Sequence, residues 1–390
     1  AAAGYHLARA AELTLRCPGL VQDAEQPTAP DELAAEASAH AQGDPAALAR
    51  LAVVEAFRRH PADTWNTEAA EHALALTRRA GDPLGESAAL DLLCSIELAR
   101  GEVHAAARSA ARRIELVQPF RRTPLACGLE LFDAYQMAAE SALAAGDLTA
   151  AHELAEQVRE LPFYREEGHL ATARLLVVTA LSGRWDEHVV HREQFLRGWE
   201  RAGRPAAGNL SRAPYAAAAV CGLRGEEAER QMWLAVVTKI ATTGLPIAQI
   251  HHGEFFDALV LLHRGEADQA MEVLATPPED FRTWFAGMWR PWYTALWAEA
   301  AVLSEHPSAA ERIERSRRHV AGNPVASAVV ARAAALAAGD RDGLLAAAED
   351  LLAAGCRYQW ARSLVLAGGA HRARGEAEFA AMGAEAMAVG

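Results

Sequence analysis

The sequence predicts an all-α fold, an α-α superhelix or solenoid of about eight or nine antiparallel helix pairs. Three observations carry this. A short phrase, Gly followed by Asp or Glu between two Ala/Leu-rich stretches, recurs at Gly43, Gly101, Gly146, Gly225, Gly265, Gly339 and Gly375. Gly183 is a variant without the acid, and His306-Pro307-Ser308 fills one more slot without its Gly. The steps between slots are 58, 45, 37, 42, 40, 41, 33 and 36 residues, the period of a helical-repeat array. Second, hydrophobic residues make up 51% and charged residues 23% of 390 residues, with alanine dominant. That composition supports a packed core and favours helix. Third, no alternating Val, Ile, Thr and Tyr runs mark strands.

One unit shows the logic. Leu131, Ala134, Tyr135, Ala138 and Ala142 fall on one helical face. Gly146 ends that helix in the left-handed conformation that glycine adopts cheaply, and Asp147 caps the next. Ala151, Leu154, Ala155, Val158 and Leu161 continue at helical spacing until Pro162. The same grammar predicts helix pairs at 90–100 with 103–117, 171–181 with 187–199, 214–223 with 227–242, and 252–263 with 267–274. It continues at 291–304 with 309–319, 325–338 with 341–354, and 358–372 with 376–382. Each pair has an apolar face that only stacking on its neighbours buries. The wide first step leaves room for an extra helix at Thr67–Ala80, followed by Gly81-Asp82, the same phrase out of phase. Residues 1–390 read as a single array, with 1–30 an atypical N-terminal helix and linker and 31–390 the repeats. The longer links are 19–30, 203–211 and 276–283. The chain opens directly in helix-like sequence, so it reads as a piece of something longer.

The net charge is −13, which argues against direct nucleic-acid binding by this segment, since phosphates need a basic face. The basic-leaning stretches 112–122 and 312–318 read as solvated helix faces. Five widely spaced cysteines, Cys17, Cys94, Cys127, Cys221 and Cys356, form no C-x-x-C. They read as reduced thiols packed as small hydrophobes, which points to a cytoplasmic protein. No apolar run approaches the ~18 residues of a membrane span, and no secretory signal opens the chain.

The units resemble tetratricopeptide-type helical pairs with looser spacing. Later stretches go further: Gly208-Asn209-Leu210-Ser211-Arg212-Ala213, Gly253-Glu254-Phe255-Phe256-Asp257-Ala258-Leu259-Val260, Arg290-Pro291-Trp292-Tyr293 with Leu296-Trp297-Ala298-Glu299-Ala300-Ala301, and Arg357-Tyr358-Gln359-Trp360-Ala361-Arg362. Their wording resembles the tetratricopeptide-like region of large actinobacterial ATP-binding transcriptional regulators of the LuxR/MalT type. It is similar also to helical arrays attached to class III nucleotidyl cyclases. The resemblance covers about residues 131–387. It implies a P-loop ATPase before the array and a DNA-binding helix-turn-helix after it, in segments other than this one. No G-x-x-x-x-G-K-[ST] occurs here.

Candidate contact residues concentrate where four of nine tryptophans fall within 14 residues: Trp284, Trp289, Trp292 and Trp297. Pro291 suits the first turn of a helix, which places Trp292, Tyr293 and Trp297 on its opening turns. With Arg290, and with His252, Phe255 and Phe256 one unit earlier, these residues offer an aromatic wall in a concave groove, or else a core plug at a helix junction. Asn209, Arg212 and Tyr215 read as a polar rim or as capping and packing residues. His188 and His191 read as a solvated face. No catalytic constellation, metal site or cofactor motif is predicted. The expected function is a regulatory binding array without catalysis, taking a protein, a peptide or a small-molecule effector in the groove. The alternatives are a passive scaffold or homo-oligomerisation arm, or a cyclase-linked array.

Overall fold

The computed structural model describes residues 2–16, 29–41, 43–58, 66–123, 127, 129–161, 164, 168–241, 251–281 and 283–388. Of these residues 83% are helical, in 20 helices packed as adjacent pairs, with no strand among them. The chain divides into two compact units, one formed by residues 1–97 and 105–137, the other by 98–104 and 138–390.

The first unit is built on α1 (Ala2–Arg16), α2 (Pro30–Ala41), α3 (Pro45–Phe57), α4 (Thr67–Ala80), α5 (Pro83–Arg100), α6 (Val103–Val117) and the start of α7 (Leu129–Ala144). Local chemistry sets the breaks. Asp44 accepts from the Ala46 amide to start α3, and Asn66 accepts from the Ala69 amide to start α4. Gly81, at φ 65°, ends α4 in the left-handed region, so the extra helix at Thr67–Ala80 is present as the spacing predicts. Val53, Ala56, Ala70, Ala73, Ala88, Leu92 and Ile96 form an apolar core. Beside it lies a polar interior. Arg50 grips Asp82 through Nε and Nη2 and reaches Glu12 through Nη1. Arg16 and Arg113 share Asp91, Glu130 and Asp133. Arg113 is fully buried, so this member of the 112–122 stretch belongs to the interior and not to a solvated face.

The second unit continues with α8 (Leu148–Arg159), α9 (Gly168–Ser182), α10 (Trp185–Arg201), α11 (Arg212–Leu223), α12 (Glu227–Ile240), α13 (His252–His263) and α14 (Ala267–Val273). It ends with α15 (Trp284–Leu303), α16 (Ala309–Val320), α17 (Pro324–Ala338), α18 (Arg341–Ala353), α19 (Arg357–Ala367) and α20 (Gly369–Met382). The repeated glycines do their predicted work: Gly146, Gly183, Gly225, Gly265 and Gly339 all have φ between 66° and 79°. Where the Gly is missing, Glu305 takes the left-handed conformation instead, at φ 52°. The acid after the Gly caps the next helix when it is Asp. Asp147 and Asp340 accept from the amides of Ala150 and Gly343. Glu226 and Glu266 make no such cap, the longer glutamate arm being poorly suited to folding back on its own helix end. Gly375 departs from the prediction. It lies inside α20, where a Cβ would stand 2.6 Å from the Ala361 carbonyl oxygen, so it permits a close helix crossing. The break falls at Gly368 and Gly369, whose φ values are 67° and 56°.

Helices α9, α11, α15 and α19 are buried round most of their circumference, whereas α8, α10, α16 and α18 bury one stripe. A helix apolar all round needs partners on every side, and these find them across the unit. Trp292 Nε1 donates to the Leu143 carbonyl at 2.9 Å, and Asn323 Nδ2 to that of Ala144 at 2.9 Å. Cys356 Sγ contacts the Leu181 carbonyl at 3.1 Å. The backbone after α20 closes on two earlier helix ends, Glu385 N on Leu223 O and Ala388 N on His263 O. Side-chain and backbone contacts thus tie these helices to one another within this unit. A cavity of about 20 Å³ remains, lined in part by Leu181, Phe255, Trp292, Val329, Tyr358 and Gln359. No helix among the described residues is long and apolar enough to cross a membrane.

Candidate functional site

The tryptophan-rich stretch forms one 20-residue helix, α15, and its start corrects the sequence reading. Thr283 caps it by accepting from the Ala286 amide, so Pro291 lies inside the helix and not in its first turn. Proline deprives Gly287 of an intrahelical donor. At that same turn Gly287 presses on the Leu98 backbone, where a Cβ would lie 2.1 Å from the carbonyl oxygen. Neighbouring side chains tie α15 to distant segments. Arg290 Nη2 donates to the Ala99 and Phe281 carbonyls, Trp292 to Leu143, and the Tyr293 hydroxyl to Thr276.

The candidate aromatic wall is an interior. His252, Phe255, Phe256, Trp289, Arg290, Trp292, Tyr293 and Trp297 are all buried. Trp289 packs against Phe255, Phe256 and His252, and Phe255 against Trp292. Trp297 lies under the guanidinium groups of Arg312 and Arg315, at 4.3 and 5.0 Å from its ring centre. Trp284 is half-buried and stacks on Phe285. Apart from Trp284, these rings interlock between helices. Their truncation would report on packing before it reported on any ligand.

The histidines follow the same rule. His252 Nε2 meets Ser211 Oγ at 3.1 Å, and Tyr215 stands edge-on to its ring. Burial, reinforced by the Arg212 charge, holds His252 neutral and pushes its pKa down to about 3. His251 stacks on Phe281 at 4.0 Å in a left-handed backbone conformation, φ 61°. His188 and His191, read from sequence as a solvated face, are buried because their face of α10 is turned onto α9. His188 Nδ1 reaches Thr179 Oγ1 and the Leu176 carbonyl, and burial lowers its pKa to about 3. Half-buried Tyr215 packs under Gly253, and burial raises its hydroxyl to about 12. The Asn209 side chain, Arg282 and Cys17 lie outside the described residues.

Two buried clusters escaped the sequence reading. In each, one glutamate serves two arginines on the next inner helices. Glu140 on α7 accepts from Arg174 on α9 and Arg212 on α11. Glu299 on α15 accepts from Arg332 on α17 and Arg362 on α19. In the first cluster burial disfavours the Arg212 charge and lowers that guanidinium to about 10. Burial also disfavours the Glu299 carboxylate, but its two guanidinium partners outweigh that and keep it below the usual range. The signal available in sequence was a charge set among apolar helix residues, alone in its helix at Arg174 and Arg332 and beside other charges at Glu140, Glu299 and Arg362. It specifies burial with a partner but not which partner.

An open feature of the second unit lies elsewhere. A groove of about 830 Å³ runs between the end of α8, the start of α9 and the end of α10. Arg159, Arg197 and Arg201 line it with Thr172, Gln194 and Glu160. Arg197 and Arg201 are four apart on α10 and share a face. Gly198 between them brings α10 against α9, where a Cβ would stand 2.5 Å from the His169 nitrogen. No protein-family model matches the chain, and no curated protein matches it. The four described cysteines, Cys94, Cys127, Cys221 and Cys356, are buried and form no disulfide with one another, and burial pushes the Cys221 and Cys356 thiols up to about 12.

Proposed function

We propose that this chain is a non-catalytic helical-repeat array that binds a protein partner within a multidomain transcriptional regulator of the LuxR/MalT type, and that contact is made through the arginine groove of α8, α9 and α10. The groove carries the proposal. It is open, it places three guanidinium groups on one surface of a chain whose net charge is −13, and it suits an acidic protein segment. The repeat wording of residues 131–387 supplies the regulator context. A bound segment would influence flanking ATPase and DNA-binding domains only if it bound two states of the array with different affinity.

The test is fluorescence anisotropy with a labelled Asp/Glu-rich 15-residue peptide, at low and high salt. The reading requires saturable, salt-sensitive binding that falls at least tenfold in Arg197→Glu/Arg201→Glu, with helicity and melting unchanged. The second reading, a passive scaffold, draws on the closed aromatic interior, and absence of saturable binding in the wild type would favour it.

A further inference from the structure

The segment from Met382 to Ala388 crosses the turns of three successive helix pairs. Gly183, Gly225 and Gly265 stand just after α9, α11 and α13. A Cβ at Gly183 would lie 3.1 Å from Met382 Sδ, and one at Gly265 would lie 3.2 Å from Ala388 Cβ. One at Gly225 would collide with the Glu385 carboxyl. Residues 382, 385 and 388 thus cover one turn each, at three-residue steps. Three residues of extended chain span about 10 Å, close to the roughly 8–10 Å between the axes of packed helices. At Gly339 and Gly355, turns of the same unit, a Cβ would meet nothing within 4 Å among the described residues.

The backbone keeps the same period. Glu385 N donates to Leu223 O at 2.9 Å, and Ala388 N donates to His263 O at 3.0 Å. These carbonyls end α11 and α13, where helix geometry leaves acceptors without intrahelical donors. His263 Nε2 lies 3.2 Å from the Glu385 carbonyl, and His263 Nδ1 lies 3.1 Å from the Tyr358 hydroxyl. The ring therefore donates to the carbonyl and accepts the tyrosine proton. Met382 and Met387 are buried, whereas Gly383, Glu385, Ala386 and Ala388 are exposed.

We infer that this ridge of turns is a track for an extended peptide, and that residues 383–388 are a releasable strap occupying it. Two amides, the His263 ring and the Met387 anchor hold the strap. Water replaces the hydrogen bonds when it lifts, so it opens locally at lower cost than the helices beneath it. The segment that fits has no proline at the two donating positions and carries a methionine-sized side chain two places after the first.

Hydrogen exchange of the full chain, read by mass spectrometry over residues 383–388, gives the first readout. Exchange there is expected to be at least about tenfold slower than in an unstructured peptide and at least about tenfold faster than in the interiors of α11 and α13. Fluorescence anisotropy with a labelled peptide of residues 381–388 gives the second. A strap closed about 99% of the time, at an effective concentration of about 1–10 mM, corresponds to a trans affinity of about 10–100 µM. Met387→Glu in the full chain is expected to empty the track and tighten peptide binding at least about tenfold over wild type. The peptide carrying the same Met387→Glu change is expected not to bind. The inference is overturned by a strap that exchanges only through global unfolding or shows no protection. It is overturned equally by peptide binding no tighter in the variant, or by a variant that loses helix content, which would make Met387 a core residue.

Discussion

Replacing Glu299 by Gln tests how the second unit holds charge in its interior. The side chain keeps its shape and loses its charge, which leaves Arg332 and Arg362 buried without a carboxylate. Arg332 retains Gln359 and Ser363 as acceptors, so the loss concentrates on Arg362. Breaking one fully buried ion pair costs about 3–5 kcal/mol, and here one carboxylate serves two pairs. A destabilisation of about 4 kcal/mol is a conservative expectation, a large share of the roughly 5–15 kcal/mol that holds a protein folded. With a urea dependence of about 2–3 kcal/mol per molar, the midpoint falls by about 1–2 M. The measurement is urea unfolding followed by circular dichroism. The triple variant Glu299→Met/Arg332→Met/Arg362→Met removes all three charges and is expected to recover most of the loss, since apolar replacement of a buried charge cluster is often neutral or stabilising. Breaking the exposed Arg372–Glu376 pair is expected to cost under about 0.5 kcal/mol. A Glu299→Gln variant within about 1 kcal/mol of wild type, or a triple variant as unstable as the single one, would falsify the charge argument.

Gly287→Ala is expected to destabilise by about 1–3 kcal/mol, although alanine favours helix by about 1 kcal/mol over glycine. The added Cβ would meet backbone, Leu98 O at 2.1 Å and Leu98 C at 2.8 Å, and backbone cannot swing aside; an unchanged or raised melting temperature would contradict this. Acid is expected to weaken the second unit as pH falls from 6.5 towards 3. His188 and His252, at about 3, and His263, at about 4, are depressed by burial from 6.5. The unfolded chain therefore takes up their protons first. Unfolding midpoints between about pH 7.5 and 4 should show this slope, and His188→Gln should flatten it; a slope unaltered by the substitution would mean that His188 does not contribute. In the first unit Asp91 works in the opposite sense. Burial raises its carboxyl to about 6, so between 6 and 3.8 the folded state holds the extra proton and gains relative stability.

Helix positions were legible because their signals are local. The Gly-acid phrase marked turns that need a left-handed residue and a nearby cap, and Gly81 revealed the extra helix. It misled at Gly375, because glycine serves close helix crossings as well as turns. Pro291 misled too, because Thr283 supplied a start well before the proline. The candidate site was less legible. Trp289, Trp292, Tyr293 and Trp297 stood out by composition, but an aromatic ring has the same sequence signature in a groove as in a core. The arginines that line the open groove, Arg159, Arg197 and Arg201, look like any amphipathic helix end.

The sequence by itself determined the helical class, the succession of helix pairs, and the glycines and caps that separate them. These depend on side chains within one or two turns of each other. Only the tertiary structure decided that the inner helices of residues 138–390 pack across the unit and enclose the tryptophans. Only it paired Glu140 and Glu299 with two arginines each, from helices more than 30 residues away. An apolar face asks for burial without naming its partner, and a buried charge asks for a counter-charge without saying where on the chain it lies. Chain packing in three dimensions answers both.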